Sequence, residues 1–205
     1  MSDSKQGDSV GLVYRNILLY RTAMNVLYKG GYVRRFEALA NRVGDARSVC
    51  DLCFGDLYLA KWCARRGVDW VGVDLNLRFC DRARRRGFPV VEGDLLRVEL
   101  PRADVHVMAG SLYHFHDRLG DLLDRVFAKT DRLLLSEPIE NVMREDGVIG
   151  RLAARVSDPG TGPTRFRYDE PGLLAALEEH SDRIGFNIRT YSRARDLVLE
   201  MTRRT

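Results

Sequence analysis

The chain of 205 residues contains no apolar run approaching the roughly 18 residues needed to cross a bilayer. Its start, MSDSKQGDSV, lacks the charged-then-apolar order of a secretory leader, so residues 1–10 read as a loose tail and the expected compartment is the cytoplasm. Lysine is scarce, at only four of 33 cations, and those cations are interleaved with 29 acidic residues. The net charge of +4 and pI near 9.0 are modest for a dedicated nucleic-acid binder. The one dense run, Arg84, Arg85 and Arg86, falls at the end of an expected helix beside Gly87, where cations favour the helix dipole. Cysteine is also sparse. Cys50 and Cys53 form a C-x-x-C, but Cys50 lies within an apolar strand, there is no second C-x-x-C, and the histidines are distant. This excludes the usual zinc and thioredoxin spacings and leaves four small buried residues, with no metal site expected. No internal repeat or low-complexity block is present, and the length suits one domain with a substantial core.

What is present is a rhythm. Residues 11–43 read as helical, with Ile17, Leu18, Met24, Val26, Leu27, Phe36 and Leu39 apolar and a break at Gly30 and Gly31. Strands are then expected at 47–52, 69–74, 89–93, 104–109 and 132–136, with helices at 56–66, 77–86 and 117–128. Such alternation predicts an α/β fold with a parallel sheet covered on both faces. A helix is expected at 141–156, then the breaker DPGTGPT, then a helix at 169–181 with Asp169 as N-cap and Pro171 in its first turn. The closing strands RIGFNI and RDLVLEM are too close for a helical crossover, so they are expected to pair antiparallel across 189–194. The expected organisation is a single domain over 11–205, with 11–43 as a helical lid and 44–205 as a Rossmann-like core.

Three strands end in acidic residues. Asp51 closes the first, Asp74 the second 23 positions later, and Asp94 follows the third. A carboxylate some 20 residues past the first turn is where a Rossmann-like fold recognises ribose hydroxyls. The first turn, C-F-G-D-L-Y, has one glycine where a dinucleotide would require G-x-G-x-x-G, and Asp56 would repel a pyrophosphate. A nucleoside carrying a positive charge and no phosphate tolerates that carboxylate.

These segments resemble the class I S-adenosylmethionine-dependent methyltransferases. VCDLCFGDLYLAKWCARRG is similar to the family's first motif, VGVDLN to the second and EGDLL to the third, while ADVHVMAGSLYHF and LLLSEP resemble the fourth and fifth strands. The resemblance covers about residues 45–138 and implies a seven-stranded Rossmann-like sheet, mostly parallel, with an antiparallel C-terminal hairpin and an N-terminal helical appendage. It also implies S-adenosylmethionine as cofactor. By position, Asp51 and Gly55 would line its methionine side, Asp74 would accept the ribose hydroxyls, and Leu75 would pack on the adenine. Asp94 and Leu95 would meet the adenine's amino edge and face, and Ala109, Gly110 and Ser111 would stand near the transferring methyl. Cys53, Phe54 and Leu57 depart from the motif, and a side chain at Cys53 stands where glycine permits close backbone approach.

Methyl transfer from a sulfonium is an in-line displacement that depends mainly on alignment and exclusion of water. An oxygen acceptor also needs a base, and Tyr113, His114, His116 and Glu137 are the candidates, His114 first. Glu137 has two readings, a contact to substrate or a helix cap. YKGGY at 28–32 has the composition of a closing lid or of a plain turn, and TRFRY at 164–168 offers Arg165, Arg167 and Tyr168 to a substrate or to solvent. His106 reads as a core residue. AGSLYHF lacks the Pro-Pro element of base N-methylating enzymes, which disfavours a nucleic-acid partner and favours a small molecule or saccharide-like metabolite methylated at oxygen. The alternatives are a non-catalytic binding or scaffold protein on this fold and an RNA-directed methyltransferase whose binding falls steeply with salt. The sequence sets no oligomeric state.

Overall fold

In the computed structural model, residues 32–139, 166–193 and 196–205 are described. The expected helices at 11–31 and 141–156, most of the YKGGY stretch, the DPGTGPT loop and Arg165 lie outside them. The apolar strand segments and amphipathic helices resolve, in order, into α1 (Tyr32–Val43), β1 (Ser48–Leu52), α2 (Tyr58–Ala64), β2 (Asp69–Asp74), α3 (Leu77–Arg84), β3 (Val90–Glu92) and β4 (Val105–Ala109). A 3-10 helix (Leu112–Arg118) then leads into α4 (Leu119–Phe127), followed by β5 (Arg132–Pro138), α5 (Glu170–Ile184), β6 (Phe186–Arg193) and β7 (Asp196–Arg203).

The described strands form one seven-stranded sheet in the order β3-β2-β1-β4-β5-β7-β6. β1 pairs parallel with both β2 and β4, and β7 pairs antiparallel with β5 and β6. The chain therefore winds outward from β1 to β3, returns to the centre and winds outward again from β4. This leaves a topological switch point between β1 and β4, where α/β sheets bind their ligands at the carboxyl ends of the strands.

Both faces of the sheet are buried along its central strands. Cys50, Leu52, Val73, Met108, Leu133 and Leu135 join Leu122, Leu123 and Val126 of α4 and Leu173 and Leu177 of α5 in one apolar cluster. Strand positions of opposite parity, among them Val49, Val105, Val107 and Leu134, are fully buried too, with Leu39 and Val43 of α1 and Leu59 and Cys63 of α2 also sequestered. His106 is buried in β4 with Nε2 against the Pro101 carbonyl (2.9 Å), as its core reading requires. Desolvation holds its pKa down at about 4.

Several boundaries differ from expectation. The expected helix at 117–128 begins earlier, as the 3-10 turn at Leu112–Arg118, because Glu137 supplies a cap from a distant strand. Residues 183–185 do not join the sixth strand: α5 continues to Ile184 and stops at Gly185, whose φ of 81° is the left-handed C-cap conformation that glycine adopts without strain. The hairpin strands are accordingly longer than expected, reaching Arg193 and starting again at Asp196, with an irregularity between Thr190 and Ser192. Asp169 caps α5 as expected, accepting from Gly172 N at 2.8 Å.

α1 is fastened at both ends by arginines. Near its start, Arg35 Nε donates to Asp196 Oδ2 at the beginning of β7. At its end, Arg132 of β5 donates to the carbonyls of Arg42 and Val43 and to Glu200, which also accepts from Tyr191. Removing one partner from such a set strands polar groups in a desolvated place. Arg132→Met is expected to lower stability by about 2 kcal/mol in urea unfolding, below the value for fully buried pairs because the guanidinium is partly solvated. A loss under about 0.5 kcal/mol would show that the apolar face of α1 suffices to hold it.

Candidate functional site

The turn after β1 passes through left-handed backbone twice, at Cys53 (φ 54°) and Gly55 (φ 48°). Cys53 is the only non-glycine with positive φ among the described residues, so the substitution kept the backbone path that glycine would take, at a steric cost of about 1–2 kcal/mol. Its thiol turns toward Ser111 at the end of β4, across the switch point, and its amide bonds to the Val73 carbonyl at 2.7 Å. Phe54 is buried with its ring lying over Gly72 of β2. A Cβ at position 72 would come within 2.5 Å of both Phe54 and Trp70 atoms. The phenylalanine in the first turn is thus accommodated by a missing side chain in the neighbouring strand.

Carboxylates gather beneath this turn. Asp74 Oδ2 accepts from Gly55 N (3.0 Å) and Oδ1 from Asn76 N (2.8 Å), tying the ends of β1 and β2 together. Burial raises its pKa to about 6 against the opposing pull of the amides of Asn76, Gly55 and Leu75. Asp51 is buried with Trp70 Nε1 on Oδ2 (3.2 Å). Desolvation pushes it well above the usual carboxylate range, the indole opposes this, and the charges of Asp74 and Asp56 add to it. Asp94 folds back on its own turn, accepting from Leu96 N at 2.9 Å. Leu75 is about half exposed beside Asp74, whereas Leu95 is buried in the core cluster.

On the other side of the switch point, Ala109 ends β4 and Gly110 turns through φ 68°. The guanidinium of Arg35 occupies the space over Gly110, with Nη1 only 2.2 Å from where a Cβ would stand. Glu137 of β5 is wholly buried and accepts from Leu112 N (3.0 Å) and Tyr113 N (3.1 Å) through its two oxygens. It caps the 3-10 helix after β4, while the helix expected after β5 lies outside the described residues. That helix presents Tyr113, with its ring 4.0 Å from the partly buried His114, while the more exposed His116 stacks on Phe166 at 4.0 Å. The guanidinium of Arg167 lies 3.6 Å over the Tyr113 ring, and Tyr168 is buried in the core cluster.

The carboxyl edge therefore brings together Asp51, Cys53, Gly55, Asp74, Leu75, Ala109, Gly110, Ser111 and the 3-10 helix, with Asp94 one strand out and Leu95 turned inward. Sequence reasoning missed Trp70, Arg35, Ser136 and Asp196. Only the tight spacing of Trp70 and Gly72 within β2 carried a signal, the partner for Phe54. Among the described residues no group of His, Cys, Asp and Glu is placed to hold a metal ion. A cleft of about 500 Å³ lies at the opposite, amino edge, lined by Trp70, Phe88 and Arg102 among others, away from the residues above.

The fold is that of the S-adenosylmethionine-dependent methyltransferases. No protein-family model and no curated protein sequence matches the chain. Solved structures do. Human N-acetylserotonin methyltransferase in complex with SAM aligns at TM-score 0.65 and 19% identity over 94% of this chain and 58% of that one. A Thermotoga maritima SAM-dependent methyltransferase aligns at TM-score 0.61 and 15% identity over 94% and 98%. Magnesium protoporphyrin IX methyltransferase from Synechocystis PCC 6803, with bound SAH, aligns at TM-score 0.57 and 16% identity over 99% and 90%. The chain spans about three fifths of the length of the human enzyme and nearly all of the other two.

The strained turn yields a direct expectation. In Cys53→Gly, relief of the left-handed strain is offset by the greater unfolded-state freedom of glycine, so stability should change by less than about 1 kcal/mol. Cys53→Val places a β-branched residue at positive φ and should lose about 2 kcal/mol in urea unfolding. Equal effects of the two substitutions would contradict a backbone fixed in this conformation.

Proposed function

We propose that the chain is a methyltransferase using S-adenosylmethionine and acting on a small molecule at a hydroxyl oxygen. The observation that carries this reading is the switch-point edge itself. There Asp74 holds Gly55 and Asn76 while retaining acceptor capacity, and buried carboxylates stand where a phosphate could not. A carboxylate has about four lone-pair directions; the amides of Gly55 and Asn76 take two and that of Leu75 is also turned to it, which leaves acceptor capacity for a ribose hydroxyl. Burial raises the pKa of Asp51 and of Asp74, and for Asp51 the charges of Asp74 and Asp56 add to it, so a cationic ligand beside them favours their ionised forms. The half-exposed Leu75 offers an apolar surface to an adenine. Leu95 contributes from within the core, and Asp94 shapes the turn beside it.

When bound, S-adenosylmethionine supplies a methyl group on a positively charged sulfur. The work of this chain is alignment, desolvation and removal of one proton. Gly55 and the backbone at Ala109, Gly110 and Ser111 line the two sides of the switch point, with the Cys53 thiol turned toward Ser111. The 3-10 helix forms the acceptor side. His114 would take the proton from the acceptor hydroxyl, the bound donor supplying the methyl group to that oxygen. Tyr113, gripped between His114 and Arg167, fixes the ring environment. The small-molecule acceptor accords with the names of the structural neighbours, among them N-acetylserotonin and magnesium protoporphyrin IX methyltransferases. Nothing in AGSLYHF provides a clamp for a planar nucleobase amine.

Titration calorimetry with S-adenosylmethionine and S-adenosylhomocysteine tests the donor half. Micromolar binding is expected. Asp74→Asn is expected to weaken it by roughly 10- to 100-fold, the worth of a charged hydrogen bond at about 1.5–3 kcal/mol. No binding by a folded sample would favour the non-catalytic reading, with the Cys53 side chain closing the cleft.

A further inference from the structure

Glu137 is a fully buried carboxylate whose oxygens, among the described residues, bond to no arginine or lysine. Both oxygens instead take the first two amides of the 3-10 helix that carries Tyr113 and His114. A protonated carboxyl holds two amides less firmly, because its hydroxyl oxygen is a weaker acceptor and its O–H needs an acceptor of its own. The charged groups around Glu137 come from three elements. Arg35 of α1 reaches the end of β4 and favours the carboxylate, Asp196 of β7 opposes it, and the Tyr168 phenol from the segment before α5 stands near. Arg35 is itself fixed, with its side chain 3% exposed, its Nε bonded to Asp196 Oδ2, and Ser136 Oγ donating to the same oxygen.

We propose that Glu137 is a positioning residue: its carboxylate, charge-balanced by Arg35, sets the 3-10 helix by the amides of Leu112 and Tyr113, and protonation releases that helix. Glu137 touches neither donor nor acceptor in this account. That the helix is the acceptor side rests on the function proposed above, but the capping does not. Burial lifts the Glu137 pKa to about 7, with the two amides and Arg35 holding it down and Asp196 pushing it up. The unfolded carboxyl titrates at about 4.3. The folded chain therefore holds the extra proton between those values. Stability from this group is full below about 4.3 and is lost as pH rises through 7, while the capped helix forms in the opposite direction. Order at the acceptor side is thus reached at the expense of fold stability.

The test is a series of amide ¹H–¹⁵N spectra of the full chain, without ligand, from pH 5.5 to 8.5. The amides of Leu112 and Tyr113 are expected to move together with a midpoint near 7. Glu137→Gln, close in shape and unable to ionise, should abolish that movement. Arg35→Met should raise the midpoint by roughly one unit, and Asp196→Asn should lower it. If Glu137→Gln does not fold, the opposite shifts of the other two variants decide the matter. Amides that stay still across the range, or that move equally in Glu137→Gln, would overturn the proposal. Calorimetry with S-adenosylhomocysteine on the same samples separates the two claims. Titrating amides without ligand binding would retire the donor site and leave the role of Glu137 standing.

Discussion

The geometry of the carboxyl edge depends on one carboxylate spanning two turns. Asp74 ends β2, yet its side chain holds the amide of Gly55 in the turn after β1 and that of Asn76 at the start of α3. Parallel strands leave their terminal amides unpaired at this edge, and a buried amide without an acceptor is costly. Asp74 satisfies two at once, so the left-handed backbone at Cys53 and Gly55 can persist with a single glycine. Asn76 extends the arrangement by capping α3 through Arg78 N at 3.0 Å.

The same economy governs the other side of the switch point. Glu137 caps the 3-10 helix, and Arg35 fills the space above Gly110 while pairing with Asp196. Asp51, Asp74 and Glu137 take backbone or indole donors on their oxygens, and burial holds the pKa of each above the ordinary carboxylate range. Structural ion pairs are found elsewhere, as between Arg132 and Glu200 at the amino end of β5. An edge of that kind is poised for a positively charged, phosphate-free nucleoside and against a dinucleotide.

Much of the architecture was legible in the sequence because it is local. Strand and helix alternation, the acidic strand ends, the Asp169 cap and the antiparallel hairpin follow from short-range periodicity and turn chemistry. What was not legible is what joins residues far apart in the chain. The 3-10 helix at 112–118 has no capping side chain of its own and takes its cap from Glu137, 25 residues away. The β6 boundary was misplaced because RIGFNI is apolar enough for a strand, and only the left-handed Gly185 shows where α5 stops. Phe54 packs over Gly72, a contact that only the pairing of β1 with β2 brings about. Leu95 stood in register with the third motif, but the core claimed its side chain.

The central claim is that a cationic nucleoside occupies the edge between β1, β2 and β4. The most direct measurement is a map of backbone amide shift changes as S-adenosylmethionine is added to ¹⁵N-labelled protein. The account predicts changes concentrated at Cys53 to Asp56, Leu75, Asn76, Asp94, Gly110 and Ser111. Changes centred on the Trp70, Phe88 and Arg102 cleft at the opposite edge, or none at saturating ligand, would contradict it.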